Sequence, residues 1–178
     1  MSSGGVKVNR MQAPRIEKVT LNVGAGKDQN RLEKGVTVLK MITGIAPQKT
    51  ITQQRIPTWG LRPGLPVGAK LTLRKAAAVD VLKRLLEAKE KKLTPSQFDG
   101  AGNVSFGIHE YIDIPGVTYD PKIGVLGLQV CVTLEKPGYR VKRRRLKAAP
   151  LPRKHTVSRE EAIAFMEKNF GVRVGEKA

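Results

Sequence analysis

KVTLNVGAGKD, residues 18–28, changes rhythm twice. Val19, Leu21 and Val23 alternate with Lys18, Thr20 and Asn22, the period-two pattern of a strand with one dry and one wet face. Gly24 and Gly26 interrupt it. Asp28 is then placed to cap a helix in which Leu32, Val36, Leu39 and Ile42 recur at helical spacing until Gly44. Two glycines before a lysine also resemble a nucleotide-binding loop, but GxxxxGK[ST] requires a glycine five places before Gly26 and a hydroxyl after the lysine, where Leu21 and Asp28 stand. The dinucleotide pattern GxGxxG fails at Gln29, which cannot give the close helix–strand approach of its third glycine. The segment therefore reads as strand, turn and helix. The helix start keeps only a general capacity to receive a phosphate group.

The same alternation returns in GAKLTLRK (68–75), with Leu71 and Leu73 opposed to Lys70, Thr72 and Arg74, and in LQVCVTL (128–134), where Gln129, Cys131 and Thr133 are the polar set. Shorter strands are predicted over 48–52 and 103–108. A second helix is expected over 76–92, with Val79, Leu82 and Leu86 inward and the pairs Asp80/Arg84 and Glu87/Lys91 outside. Ser158 and Glu161 form a capping box that opens a helix through Ala162, Phe165 and Met166 to Gly171. Residues 1–14 read as a mobile arm and 15–178 as a single α+β domain. QRIPTWGLRPGLPVG is too rich in proline and glycine for regular structure and reads as an exposed loop carrying Trp59. Between residues 136 and 157, like charges at Arg140, Lys142, Arg143, Arg144 and Arg145, followed by Arg153 and Lys154, favour an extended arm that orders on a polyanion.

Charge narrows the function class. The chain of 178 residues carries 33 Lys+Arg against 15 Asp+Glu, a formal net charge of +18, which repels itself and seeks a polyanion. Between Glu33 and Asp80, and again between Glu135 and Glu160, there is no acidic residue. From Asp99 to Glu135 the sign reverses, with Glu110, Asp113 and Asp120 facing a lone Lys122, a stretch suited to a basic protein partner. One cysteine, Cys131, excludes an intramolecular disulfide, and with no long apolar run the chain reads as cytosolic, without a membrane partner. Cys131 is also expected to be buried on its strand.

If the alternating strands share one antiparallel sheet with helices on its apolar side, the other side becomes a platform of Lys18, Thr20, Asn22, Lys70, Thr72, Arg74, Gln129, Cys131 and Thr133, with Glu17 near one strand end. Such donors suit phosphate oxygens and 2′-hydroxyls, while Asn22 and Gln129 have the paired groups that read base edges. The platform lacks aromatic stacking pairs, so it is expected to recognise the shape and backbone of a structured RNA, with steep salt dependence. No catalytic constellation emerges. HEYID at His109 breaks the zinc pattern HExxH because Asp113 replaces the second histidine, and Asp113 and Asp120 sit in turn-forming sequence. No cofactor is expected.

RIEKVTLNVGAG (15–26), GAKLTLR (68–74), FDGAGNVSFGI (98–108), YDPKIGVLGL (119–128), KPGYRV (136–141) and KHTVSREEA (154–162) stand in the same order as the blocks of a known family. The chain resembles the universal large-subunit ribosomal protein that docks 5S ribosomal RNA, in its archaeal form, which carries the basic arm. This resemblance implies an α+β fold with helices on one face of a curved antiparallel sheet and an RNA-binding polar face opposite. It implies RNA contacts at Asn22, Thr72 and Arg74, and a loop reaching toward the peptidyl-site transfer RNA that here carries Arg55, Trp59 and Arg62. It further implies contact with large-subunit ribosomal RNA in the central protuberance and with a basic small-subunit protein at an intersubunit bridge, and no homo-oligomer. Ile45 departs from the family's glutamine after the helix-ending glycine. A general nucleic-acid binder and an RNA-modifying enzyme are the competing readings.

Overall fold

Alternation becomes pairing in the computed structural model, which describes residues 9–175. Strand β1 (Arg15–Gly24) runs into helix α1 (Gln29–Thr43), then β2 (Gln48–Ile51), β3 (Pro66–Leu73) and helix α2 (Lys75–Ala88). The chain continues through β4 (Lys92–Leu93), β5 (Asn103–Ile108), β6 (Leu128–Glu135), a single turn α3 (Arg140–Arg143), α4 (Arg159–Phe170) and β7 (Arg173–Val174). Five strands form an antiparallel sheet in the order β2-β3-β1-β6-β5, while β4 and β7 pair in parallel apart from it. The architecture is α+β, as the sequence predicts.

The dry side of the sheet is built from Val19, Leu21 and Val23 of β1, Ala69, Leu71 and Leu73 of β3, and Val130, Val132 and Leu134 of β6, all buried. Helices α1 and α2 cover it with Leu32, Val38, Leu39, Ile42, Ala78, Val81, Leu82, Leu85 and Leu86, and α4 adds Ala162 and Met166. Val36 and Val79, expected inward, are only half-buried. The Asp28 carboxylate accepts from the backbone N–H of Asn30 (2.9 Å) and Arg31 (3.3 Å), and Gly44 closes the helix in the left-handed conformation. With that carboxylate already at the helix start, a phosphate there would meet a like charge, so the RNA-phosphate option at Gly24–Gly26 falls away.

Several expectations are corrected. Helix α2 stops at Ala88 because Glu90 and Lys91 take positive φ and the Lys91 N–H returns to the Leu86 carbonyl. Arg84 does not pair with Asp80; it donates to the carbonyls of Ile42 (3.1 Å) and Pro115 (2.9 Å), tying α1, α2 and the 114–117 turn together. Of the expected arm at 1–14, residues 1–8 lie outside the described residues, and 9–14 form a turn in which Gln12 N–H reaches Asn9 O. The loop between β2 and β3 has a short order of its own, since Ile56 and Leu61 bridge around a 3-10 turn at Pro57–Trp59. At the other end of the fold the Ser158–Glu161 capping box is present, and the buried Lys136 ammonium lies 2.7 and 2.9 Å from the two oxygens of Glu161.

Two tests follow from these contacts. Gly35 of α1 sits against Val23 so closely that an added Cβ would lie 2.8 Å from its Cγ1. On an open helix Gly→Ala gains about 1 kcal/mol, but overpacking against a stiff, buried valine costs about 1–3 kcal/mol. Gly35→Ala is therefore expected to lower the urea midpoint, and Val23→Ala in the same chain to recover part of the loss. Glu161 supplies the second: burial raises its pKa, but the Lys136 ammonium and the Ser158 N–H outweigh that and hold its carboxyl below the ordinary value. A depressed folded-state pKa stabilises above the unfolded value and loses that contribution as pH falls through the folded one. Thermal melts from neutral pH down through about pH 4 should show a steeper stability loss in the parent than in Glu161→Gln, which keeps the capping acceptor.

Candidate nucleic-acid interface

Strand register turns the polar residues into rows. Gln48, Lys70, Asn22, Gln129 and Gly107 align across all five strands. Beside them run Thr72, Thr20, Cys131 and Ser105, and then Lys18, Thr133 and Asn103. Thr50, Gly68 and Gly24 complete the far side, where a Cβ on Gly68 would meet Val23 O at 2.8 Å. No carboxylate stands in any of these rows. The expected residues Lys18, Thr20, Asn22, Lys70 and Thr72 are thus brought together, with Arg74 one residue beyond β3, and Gln48, Thr50, Asn103 and Ser105 join them unforeseen. Their strands were legible, but their pairing partners were not.

Asn22 Nδ2 donates to Gln129 Oε1 at 3.0 Å, leaving the Asn22 carbonyl and the Gln129 amide N–H groups free to face a ligand. Cys131, expected to be buried, is exposed in the middle of the face. Flanking segments leave the face at opposite ends of β1, about 30 Å apart for a strand of this length. The loop with Arg55, Trp59 and Arg62 leaves beside Gly24 and Gly68, all three side chains exposed. The basic segment leaves beside Arg15 and Glu135.

That basic segment is folded back rather than extended. Arg143 reaches Glu17 at 2.7 Å and Glu135 at 3.2 Å and lies over the Tyr139 ring. The His155 ring N–H donates to Pro137 O at 2.6 Å, and Arg144 to Lys147 O. Like charges in sequence predicted extension, but the counter-charges come from β1 and the end of β6. Lys142 and Arg143 consequently line a cavity of about 310 Å³ with Glu17, Asn103 and Thr133 at the edge of the face. Among the described residues, Arg140, Arg145, Arg153 and Lys154 form no ion pair or side-chain hydrogen bond with the sheet.

Glu17 is the extra residue of a bulge in β1, where the pairing shifts between Ile16 and Lys18. Arg74 and Arg143 hold its carboxylate, at 3.1 and 2.7 Å. Burial pushes its pKa up, but the two guanidinium groups and Lys18 pull it below the ordinary value, so it is charged at neutral pH. Glu135 is likewise covered, taking both Nε (3.2 Å) and a terminal nitrogen (2.8 Å) of Arg15. Asp99 accepts from Ala101 and Asn103 in its own loop. The acidic surface is therefore shorter than its sequence span, with Glu110 and Asp113 exposed beside Ile112, Tyr119 and Val125, and with Asp120 half-buried. Signals for Glu17 existed in the sequence: Ile16 and Val19, three apart, both face the core, which strict alternation forbids.

Residues 9–62 match the family model described as ribosomal protein L5, and residues 66–165 match the model of the same family's C-terminus. The large ribosomal subunit protein uL5 of Sulfolobus acidocaldarius is 46% identical over 170 residues, covering 96% of both chains. That of Methanococcus vannielii is 48% identical over 167 residues, 92% of both chains. The proteins of this family are structural rather than catalytic. Matching models on both parts of the chain, and archaeal relatives spanning nearly all of it, place the chain in the ribosomal protein L5 family.

Proposed function

We propose that this chain is a non-catalytic constituent of the large ribosomal subunit, in the cytoplasm, that docks structured RNA on the polar face of its sheet, with 5S ribosomal RNA as the principal ligand. The observation that carries this reading is the set of aligned rows from Gln48 to Gly107 and from Thr72 to Ser105, which offer hydroxyls, amides and a lysine with no carboxylate among them. Ordinary wet sheet faces mix both signs of charge. Here Lys18, Lys70 and Arg74 neutralise phosphates, Thr20 and Thr72 bond sugar and phosphate oxygens, and Asn22 with Gln129 presents a fixed amide pair to a base edge.

The flanking elements extend the contact. Arg140, Lys142, Arg143, Arg144, Arg145, Arg153 and Lys154 hold ribosomal RNA of the central protuberance at one end. At the other, the loop with Arg55, Trp59 and Arg62 approaches the peptidyl-site transfer RNA. Glu110 and Asp113, with the apolar side chains near them, form the surface for a basic small-subunit protein at a bridge.

Competition at matched salt separates specific docking from general polyanion binding: 5S ribosomal RNA should displace labelled 5S RNA far better than bulk duplex DNA, and equal displacement would refute the reading. Lys70→Ala should reduce the slope of log affinity against log salt by about 1. Asn22→Ala should leave that slope unchanged and weaken 5S binding by about 1–3 kcal/mol. For the bridge surface, Glu110→Lys combined with Asp113→Lys should weaken association of reconstituted subunits; unchanged association would remove that contact.

A further inference from the structure

We propose that Glu17 is a positioning residue for the RNA contact: a buried carboxylate that fixes the guanidinium groups of Arg74 and Arg143 at the end of the sheet face, with their outer N–H groups presented to phosphate. The inference rests on the RNA-docking reading and adds to it a residue of the same charge as the ligand.

Five side chains form a continuous chain at this end of the face: Arg15, Glu135, Arg143, Glu17 and Arg74, at successive distances of 2.8, 3.2, 2.7 and 3.1 Å. The carboxylates are inside and the cations outside. Side-chain exposure is 6% for Glu17 and 7% for Glu135, against 56% for Arg74 and 49% for Arg143. An approaching phosphate therefore meets guanidinium groups first, and the three cations outnumber the two anions beneath them.

Each arginine carries its donors in a rigid planar fork. Arg74 donates one terminal N–H to Glu17, and Arg143 brings its two terminal nitrogens to 2.7 Å from Glu17 and 3.2 Å from Glu135, so the carboxylates hold both guanidinium groups in place while further N–H groups remain for phosphate oxygens. A free arginine would have to be ordered when RNA binds, and that ordering weakens association. Glu17 bears the ordering in the free protein instead. Arg143 also belongs to the folded-back basic segment, so the same carboxylate sets where that segment meets the sheet.

Charge counting and positioning predict opposite signs. Removing a carboxylate from a polyanion-binding surface should tighten binding if charge alone matters. Under positioning, Glu17→Gln should weaken 5S ribosomal RNA binding about three- to tenfold, the range expected for losing one ordered side chain. Affinity for heparin, a polyanion without RNA structure, should hold or rise. In a chain that already carries Arg74→Ala and Arg143→Ala, Glu17→Gln should no longer weaken RNA binding. Equal or tighter RNA binding by Glu17→Gln, or the same loss persisting in the arginine-free background, would overturn the proposal. If Glu17→Gln lowers the folded population, Arg143→Lys carries the test. It keeps the net charge but loses the fork that spans both carboxylates, so weaker RNA binding is expected and unchanged binding overturns the proposal. Should Arg74→Ala and Arg143→Ala themselves leave RNA affinity intact, the docking reading fails at this end of the face; should they weaken it while Glu17→Gln tightens it, only the role of Glu17 is lost.

Discussion

A pleated strand turns alternate side chains to opposite sides, and the central sheet depends on keeping those sides apart. Val19, Leu21 and Val23 lie under helices while Lys18, Thr20 and Asn22 face outward, and a slip of one residue in β1 would exchange the two sets. Each aliphatic side chain turned out would forfeit about 1.5–3 kcal/mol, and each lysine turned in would have to be buried as an unpaired charge or neutralised. Both penalties point the same way. Register is fixed by the core, and the core thereby lines up the polar rows across five strands.

A second constraint is the excess of positive charge. At +18 the chain repels itself, and several of its carboxylates offset this by direct contact with cations. Glu17 and Glu135 sit beneath arginines at one end of the face, and Glu161 holds the buried Lys136 at the root of the basic segment. Breaking such covered pairs by removing one partner is costly, on the order of 3–5 kcal/mol for fully buried examples and less where, as at Glu17 and Glu135, the cations remain half in water. These carboxylates leave the polar rows themselves free of negative charge. Structural economy and the proposed RNA contact thus draw on the same residues.

Local pattern made most of this architecture legible. Strands β1, β3, β5 and β6 follow from alternation, α1 from Asp28 and Gly44, and α4 from its capping box, because in each case the deciding residues are neighbours in sequence. The polar face could be assembled from alternation alone, given one sheet. What escaped sequence reading depends on partners far along the chain. Arg15 and Glu135 are 120 residues apart, and the Arg143 contacts join the basic segment to β1. Run by itself, the 140–145 charge cluster argues for extension; only the folded chain supplies the acids that bend it back. Arg84 likewise prefers carbonyls brought by two other segments to the Asp80 carboxylate one turn away.

Cys131 offers the most direct measurement of whether RNA covers this face. It is the only cysteine in the chain, it is exposed, and it stands between Thr20 and Ser105 in the middle of the polar rows. Alkylation by a maleimide should proceed readily on the free protein and slow markedly when 5S ribosomal RNA is bound, while saturating duplex DNA gives much less protection. An alkylation rate unchanged by bound 5S RNA would contradict the account, because the ligand would then lie on another surface.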